Sequence, residues 1–582
     1  VVGAVGTRVV SRVADQALGL AALSRVYAAS QRRAVAAPGV PFCEHVLAEL
    51  QIEESLNGAE LERLPRSGAA VVVANHPLGG ADGLLLLALL LRARPDVRLL
   101  ANSWLLRVAE LRPHLIGVDV FGGGGWGNSR AARAARAWLA QGGCIATFPA
   151  GEVSRFRPLD GRVADGQWSA SFVRLARRAR CPVVPVCFDE RNSLVFGLAG
   201  LVHSGLATTL LARELLRRRR GRVRVRIGHA IPAGTLQRLG DREATEVVRG
   251  SVYVLSEGKP GGVRGGASGE ARADAAIASP ANPTSIRSEI DALPSERTLG
   301  RIGSLRVMVA DRREVPTVIE EIGRLRELTY RLVGEATGAA RDLDRFDDTY
   351  LHLFTYDDDA GLLVGAYRMG PTDRIMPGAG VKGLYTSTLF EYEPTQLARL
   401  CPGIELGRSF VRPEYQRHPA ALLLLWQGIV RYVGQRPHYR YLFGTVSISD
   451  TYPSVTRDFL VRFVTLTFGG EDWARLASPT MPPKSRRGPG RDVAEAMTAG
   501  CDLDDAERLV SSADPSGRGL PTLLRLYLKL GARVVGFNVD PSFGNALDGL
   551  IVVDLTNAPR RQLRRYMGEA LCEAYLRYHA RD

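Results

Sequence analysis

Hydrophobic and polar positions alternate in two distinct rhythms along the first 230 residues. Short β-branched runs at Ala69–Ala74, Val97–Ala101, Cys144–Phe148, Val183–Phe188 and Arg222–Ile227 read as strands. Several of them are apolar throughout, as expected for strands covered on both faces. Between them, Asp82–Arg94 and Ser129–Ala140 carry helical spacing. Strands alternating with helices predict a layered α/β domain. The pattern resumes after residue 300. Strands are expected at Ser304–Ala310, Leu351–Tyr356, Gly361–Met369, Ile404–Val411 and Tyr441–Ser449, with helices at Val315–Val333 and Ala420–Val433. Asp357–Gly361 reads as the turn of a hairpin, so the second half is expected to be a mixed α/β sheet.

Residues 258–300 break both rhythms. Their Gly, Ala, Ser and Pro content predicts a flexible linker. The expected organisation is a domain over 1–257, a linker over 258–300 and a second domain over 301–582. A length of 582 residues agrees with more than one core, and a hydrophobic content of 46% excludes a largely disordered chain. Residues 481–490 read as a loop inside the second half.

The formal charge of +15 calls for acidic partners: nucleic acid, an anionic membrane face or an acidic carrier protein. The densest basic run, Arg217–Arg220 followed by Arg222, Arg224 and Arg226, is either a solvated helix end or a contact with such a partner. Aromatic residues are not interleaved with it, which argues against nucleic acid. The longest apolar run, Leu84–Leu91, is far shorter than the ~20 residues of a spanning helix. The seven cysteines form no CxxC pair, fitting a reducing compartment and no zinc site. The start of the chain lacks the regions of a secretion signal. The expected location is peripheral, on the cytoplasmic face of the inner membrane.

Two constellations carry chemistry. In Asn75-His76-Pro77-Leu78-Gly79-Gly80-Ala81-Asp82, a histidine at a strand's end is followed across a glycine turn by a carboxylate. An imidazole can take a proton from a hydroxyl at neutral pH when a carboxylate orients it. The bland alternative is a helix cap or a core histidine. Phe148-Pro149-Ala150-Gly151-Glu152-Val153-Ser154 also ends a strand, and it is either a plain turn or a source of backbone N–H groups for a developing oxyanion. In the second half, the acidic run Arg341–Asp348 and the strand segment Glu405-Leu406-Gly407-Arg408 place carboxylates and an arginine where an amine could bind. The alternatives there are a solvated turn and an intrastrand ion pair.

The block around His76 and Asp82, the Phe148–Glu152 block and the apolar Val183-Val184-Pro185-Val186, in that order, resemble the lysophospholipid acyltransferase family. That resemblance implies a glycerolipid-acyltransferase-like α/β fold, with His76 as catalytic base and Asp82 as its partner. It also places Asn75, Gly79, Gly80, Phe148, Pro149, Gly151 and Glu152 around the substrate. The spacing between His76 and Asp82 is one residue longer than the family pattern. Val118–Gly125 stands where an arginine-bearing block usually binds glycerol phosphate. Both departures suit a lyso amino-acid lipid as acceptor.

The segments Glu321–Arg326, Asp342–Asp347, Tyr350–Leu353, Glu405–Ser409 and Leu442–Ser449 resemble the N-acyltransferases of ornithine-lipid synthesis, of GNAT-like fold. So do Leu520–Gly531, Phe537–Asp540 and Leu547–Ile551. By that resemblance Glu405 is the base for the amine, Arg326 and Arg408 hold the site or the pantetheine, and Asp344 and Asp347 face the amino acid. An O-acyltransferase half followed by an N-acyltransferase half is the layout of the bifunctional ornithine-lipid synthases. The implied chemistry is N-acylation of ornithine by a 3-hydroxyacyl group, then O-acylation of its hydroxyl. The donor in both steps is acyl carrier protein bearing a phosphopantetheine thioester, with no metal or bound cofactor. Glycine, lysine or another amine are the rival acceptors. A non-catalytic membrane or carrier-protein scaffold is the rival of another class.

Overall fold

A computed structural model describes residues 19–119, 126–157, 162–189, 211–256, 275–484 and 488–580. Gly122–Gly125 and residues 258–274 of the expected linker lie outside the described residues. The chain forms two compact units, each built on a sheet with helices against it. This is the α/β organisation read from the two rhythms.

The first unit holds a seven-stranded sheet. In spatial order its strands are Glu53–Ser55, Arg222–Ile227, Val183–Phe188, Ala70–Ala74, Cys144–Thr147, Val97–Asn102 and Leu115–Val118. All neighbours are parallel except Val183–Phe188 and Arg222–Ile227. Every residue of Ala70–Ala74 is buried. Val72 and Ala74 pack into one core with Leu85, Leu86 and Leu89 of the helix Gly80–Ala93. The opposite side is covered by Ser171–Ala179 and Asp241–Ser256. Coverage on both faces is why this strand is an unbroken apolar run rather than an alternating one.

The boundaries differ from those expected. Residues 487–519 belong to the first unit, and 260–486 with 520–582 form the second. The return segment is held by packing and hydrogen bonds. Gly250 has no side chain where a Cβ would meet Val493 at 2.4 Å, so the helix Pro489–Met497 lies directly on Asp241–Ser256. Thr235 donates to Asp505 at 2.7 Å, and the His229 amide donates to Ser512 Oγ at 2.8 Å. The far end of the expected linker is also ordered structure. It carries a helix, Pro283–Asp291, capped by Asn282, and a strand, Thr298–Ile302.

The second unit holds an eight-stranded sheet in the order Thr298–Ile302, Leu305–Ala310, Leu351–Asp357, Leu362–Pro371, Gly403–Val411, Tyr441–Ile448, Ala546–Asp554 and Arg533–Asp540. Six of its seven strand pairings are antiparallel, and the exception is the parallel contact of Gly403–Val411 with Tyr441–Ile448. That pairing stops at Leu406 and Gly444, and beyond it the two strands diverge. Gly444 makes the junction possible. A Cβ there would lie 2.0 Å from the carbonyl oxygen of Leu406. Gly444→Ala should therefore cost about 2 kcal/mol or more of stability in the second unit, measured as a lowered denaturation midpoint. An unchanged midpoint would show that the strands can part without loss.

Candidate functional sites

In the first unit, the strand Ala70–Ala74 hands the chain to Asn75, whose side-chain amide bridges to the neighbouring strand. It donates to the Phe188 carbonyl at 2.9 Å and accepts from the Phe188 amide at 2.7 Å. This clamp fixes the point where His76 leaves the sheet. Gly79, at φ 72° and ψ −116°, turns the chain into the helix Gly80–Ala93. Asp82, in the first helical turn, faces back over that turn. Its Oδ2 accepts from the amides of Leu78 at 2.7 Å and Gly79 at 3.0 Å and meets His76 Nδ1 at 3.1 Å.

Asp82 is fully buried, and burial pushes its pKa up against the opposing pull of His76 and the two amides. Its Oδ1 has no hydrogen-bond partner among the described residues. With Nδ1 held by the carboxylate, Nε2 is the nitrogen left to meet a substrate. The Phe148 ring stacks on the imidazole at 4.1 Å with 22° between planes, fixing the ring plane. A side-chain exposure of 19% leaves His76 reachable.

A second layer holds the backbone of His76, and sequence reasoning missed it. Asp165 accepts from the His76 amide at 3.2 Å and from Trp168 Nε1 at 2.9 Å, and it also bonds the Ser154 hydroxyl. The Ser154 amide donates to the His76 carbonyl at 2.9 Å. Asp165 thereby ties the Phe148–Ser154 turn to the His76 turn. Its one local signal is an acidic residue just before Gly166-Gln167-Trp168. Pro149 is buried in that turn, while Gly80, Gly151 and Glu152 are exposed. A cavity of about 640 Å³ opens elsewhere, beside Gln51, Glu54, Arg92 and Arg222, and its lining includes neither His76 nor Asp82.

In the second unit, the diverging strands carry a charge network. Arg326 pairs with Asp347 at 2.8 Å, both fully buried. Arg368 reaches Asp344 at 2.6 Å and Asp347 at 3.3 Å. Arg408, at φ 48°, lies 3.5 Å from Asp342 and 3.7 Å from Asp344. Its guanidinium sits over the rings of Tyr385 and Phe543. Burial works against ionised Asp347, yet Arg326 and Arg368 outweigh it and hold this carboxyl well below the usual range.

Asp344 and Asp347 also form a capping box over Arg345–Asp348. Of the two aspartates expected at the acceptor, Asp347 is therefore consumed by structure, and Asp344 keeps a partly exposed carboxylate. Glu405 is 1% exposed. It accepts from the amides of Tyr385 at 3.1 Å and Thr386 at 2.7 Å and from the Tyr350 hydroxyl. Burial pushes its pKa up. The geometry makes it the anchor of the segment after residue 383.

A further acidic group lies near Arg408 and was not foreseen. Asp548 accepts from Ser447 at 2.7 Å. Burial, with Asp540 adding to it, pushes Asp548 up to about 6. Burial together with Asp548 and Asp450 pushes Glu335 up to about 7. An aspartate in the middle of the otherwise apolar run Ala546–Val553 is the sequence signal that could have found it.

His352 has a pH signature of its own. Burial and the neighbouring Arg326 push it down to about 4, while its Nε2 donates to the Asp347 carbonyl at 3.1 Å. Unfolding restores an ordinary histidine near ~6.5. The unfolded chain thus binds the extra proton between those values, so this contribution is complete above ~6.5 and lost as pH falls toward 4. The unfolding free energy, measured by denaturant titration between pH 7 and 4.5, should drop with a slope of up to ~1.4 kcal/mol per pH unit from this group. His352→Gln should flatten that slope, and an unaltered slope would remove His352 from the account.

Comparison with known proteins agrees with this division. Residues 38–262 match the Acyltransferase family, and residues 325–427 match the Acetyltransferase (GNAT) domain family. A glycine N(alpha)-acyltransferase of Bacteroides thetaiotaomicron is 30% identical over 43% of this chain and 77% of its own length. A lyso-glycine lipid O-acyltransferase of Phocaeicola vulgatus is 32% identical over 34% of this chain and 72% of its own. An L-ornithine N(alpha)-acyltransferase of Agrobacterium fabrum is 28% identical over 49% and 92%, respectively.

Proposed function

This chain belongs to the acyltransferases, an Acyltransferase domain followed by a GNAT domain, and from that premise we propose that it makes ornithine lipid in two steps. The second unit joins a 3-hydroxyacyl group to the α-amine of ornithine. The new N–C bond replaces the thioester C–S bond of acyl carrier protein, and the amine's proton leaves with the carrier thiol. The first unit then esterifies the hydroxyl of that lyso-lipid. His76 Nε2 takes the hydroxyl proton as oxygen attacks a second thioester, then returns it to the departing thiolate. Asp82 holds the ring and stabilises the imidazolium. Exposed Gly80 and Gly151 leave room at the site for the acyl carbonyl. The observation that carries this reading is the His76–Asp82 contact at 3.1 Å, with Phe148 fixing the ring. Catalysis takes place at the cytoplasmic face of the inner membrane, with the protein peripheral. No helix among the described residues is long and apolar enough to cross a membrane.

In the second unit, Arg408 and Asp344 meet the acceptor where the strands part. Arg326 and Asp347 act from behind as a fixed frame. Glu405 acts through Tyr385 and Thr386, which it holds, rather than by touching the amine. Ornithine is favoured over glycine by the acidic group of Asp540, Asp548 and Glu335. Burial and neighbouring carboxylates raise the pKa of Asp548 and of Glu335; carboxylates so placed gain from a cation, and ornithine brings a second ammonium that glycine lacks. The relatives named for glycine support the rival acceptor.

Expression in a bacterium without amino-acid lipids, fed labelled ornithine or glycine, tests the reading by lipid mass spectrometry. Labelled ornithine is expected in a doubly acylated product. His76→Ala should accumulate the singly acylated lipid, and Glu405→Ala should abolish both. Label from glycine alone would overturn the choice of acceptor, and unchanged lipids in both variants would overturn the enzyme sites. The value of about 6 for Asp548 adds a pH dependence. Below it the carboxyl is protonated and neutral, so KM for ornithine should rise as pH falls through 6. Asp548→Asn should raise KM roughly ten-fold and remove that dependence.

A further inference from the structure

The sheet of the first unit has one chemical end. The strand Ala70–Ala74 delivers His76 there. Val97–Asn102 runs parallel to it, two places along the sheet, and delivers Ser103–Arg107 to the same end. Two strand spacings put these segments about 10 Å apart across the sheet. Ser103–Arg107 is a short 3-10 turn with a defined orientation. Asn102 Oδ1 accepts from the Trp104 amide at 3.0 Å, and Arg112 Nε donates to the Leu106 carbonyl at 3.1 Å. Gly117 lets Leu106 pack inward, for a Cβ there would stand 2.7 Å from Leu106 Cδ1. With Leu106 turned in, its neighbours face out. Trp104 is 69% exposed and Leu105 44%.

An adjacent Trp and Leu held out to water, with exposed Arg107 and Arg112 on the same segment, have the composition of a membrane-interface contact. A second feature lies toward the same end, on the other side of His76. Arg222–Ile227 runs antiparallel to Val183–Phe188, and the Asp189 amide donates to the Arg224 carbonyl at 3.0 Å. The turn that feeds this strand, with Arg217, Arg219, Arg220 and Arg222 all exposed, is therefore carried beyond the C-terminal end of Val183–Phe188.

We propose that this end of the first unit docks on an anionic bilayer, with Trp104 and Leu105 entering the interface and the arginines meeting lipid headgroups. An acidic carrier protein would also attract the arginines, but it gives no reason for the Trp–Leu pair. The proposal deepens the O-acyltransferase reading: it supplies the surface from which a lyso-lipid reaches His76 without leaving the membrane.

Vesicle sedimentation of the full chain tests it, with phosphatidylglycerol–phosphatidylethanolamine vesicles set against phosphatidylcholine vesicles. The chain should bind the anionic vesicles. Trp104→Ala with Leu105→Ala should lower partition roughly ten-fold or more. Brominated lipid should quench part of the tryptophan fluorescence, and Trp104→Phe should remove that part. The double variant should keep the wild-type rate on a short-chain, water-soluble acceptor and lose rate on the acceptor held in vesicles. Arg219→Gln with Arg220→Gln and Arg222→Gln should remove the salt dependence of vesicle binding. Equal partition of wild type and double variant, or quenching unaffected by Trp104→Phe, overturns the docking surface. An arginine variant that binds vesicles normally but has a raised KM for acyl carrier protein overturns the part given to the turn. A wild type that binds vesicles through Trp104 yet acylates no acceptor would sink the reading of His76 and leave the docking intact.

Discussion

A carboxylate taken out of water must be met by fixed partners, and both units are organised around that requirement. Asp82 is fully buried, and two backbone amides and His76 converge on one of its oxygens. Those amides exist because Gly79 bends the chain so that Leu78 and Gly79 point their N–H groups at the first helical turn. The imidazole is thus oriented by an acceptor that is itself held by the start of a helix. Little reorganisation is left for the reaction itself, which is where preorganised electrostatics is worth most. The cost shows in Oδ1, which has no partner among the described residues, and in a pKa that burial pushes up against the pull of His76 and the two amides.

The second unit meets the same requirement with side chains. Two buried guanidinium groups, Arg326 and Arg368, share Asp347, and removing either partner would leave an uncompensated charge in the core. Such losses are typically about 3–5 kcal/mol, whereas the intact set contributes little net stability. The network therefore serves geometry more than stability. It locks the Asp344–Asp348 turn against the strand that carries Arg368, beside the opening where Gly403–Val411 and Tyr441–Ile448 part. Glu405 does the same for Tyr385 and Thr386. Three buried anchors surround that opening, and the groups they leave partly exposed, Asp344 and Arg408, are the ones able to meet a ligand.

What was legible in the sequence follows from range. His76 and Asp82 are six residues apart and their contact crosses a single turn, so spacing and chemistry together expose it. The strands Val183–Phe188 and Arg222–Ile227 were legible to the residue, because burial or alternation marks them locally. Asp165 lies 89 residues from the amide it supports, and Arg368 lies 24 from Asp344. No periodicity encodes those meetings. In the acidic run, the capping-box role of Asp344 and Asp347 was hidden for a related reason: the residues of a capping box and those of a ligand site look alike until burial separates them. The return of residues 487–519 to the first unit was hidden in the same way, since Gly250 and Val493 meet only in three dimensions.

A lyso-lipid intermediate changes what a fused chain needs. A sixteen-carbon acyl chain is worth on the order of 12 kcal/mol of transfer into a bilayer, at ~0.8 kcal/mol per methylene. Once the first chain is attached, the product is confined to the membrane, and its search for the second site becomes a search in two dimensions. Fusion then requires no tunnel between the sites. On the proposed two-step route it requires only that the tethered second site meet the intermediate at a high local concentration. The proposed bilayer-borne acceptor also fits a His76 that keeps 19% of its side chain exposed. On that reading the hydroxyl arrives while its single acyl chain stays in lipid, which an imidazole closed off from solvent would not allow.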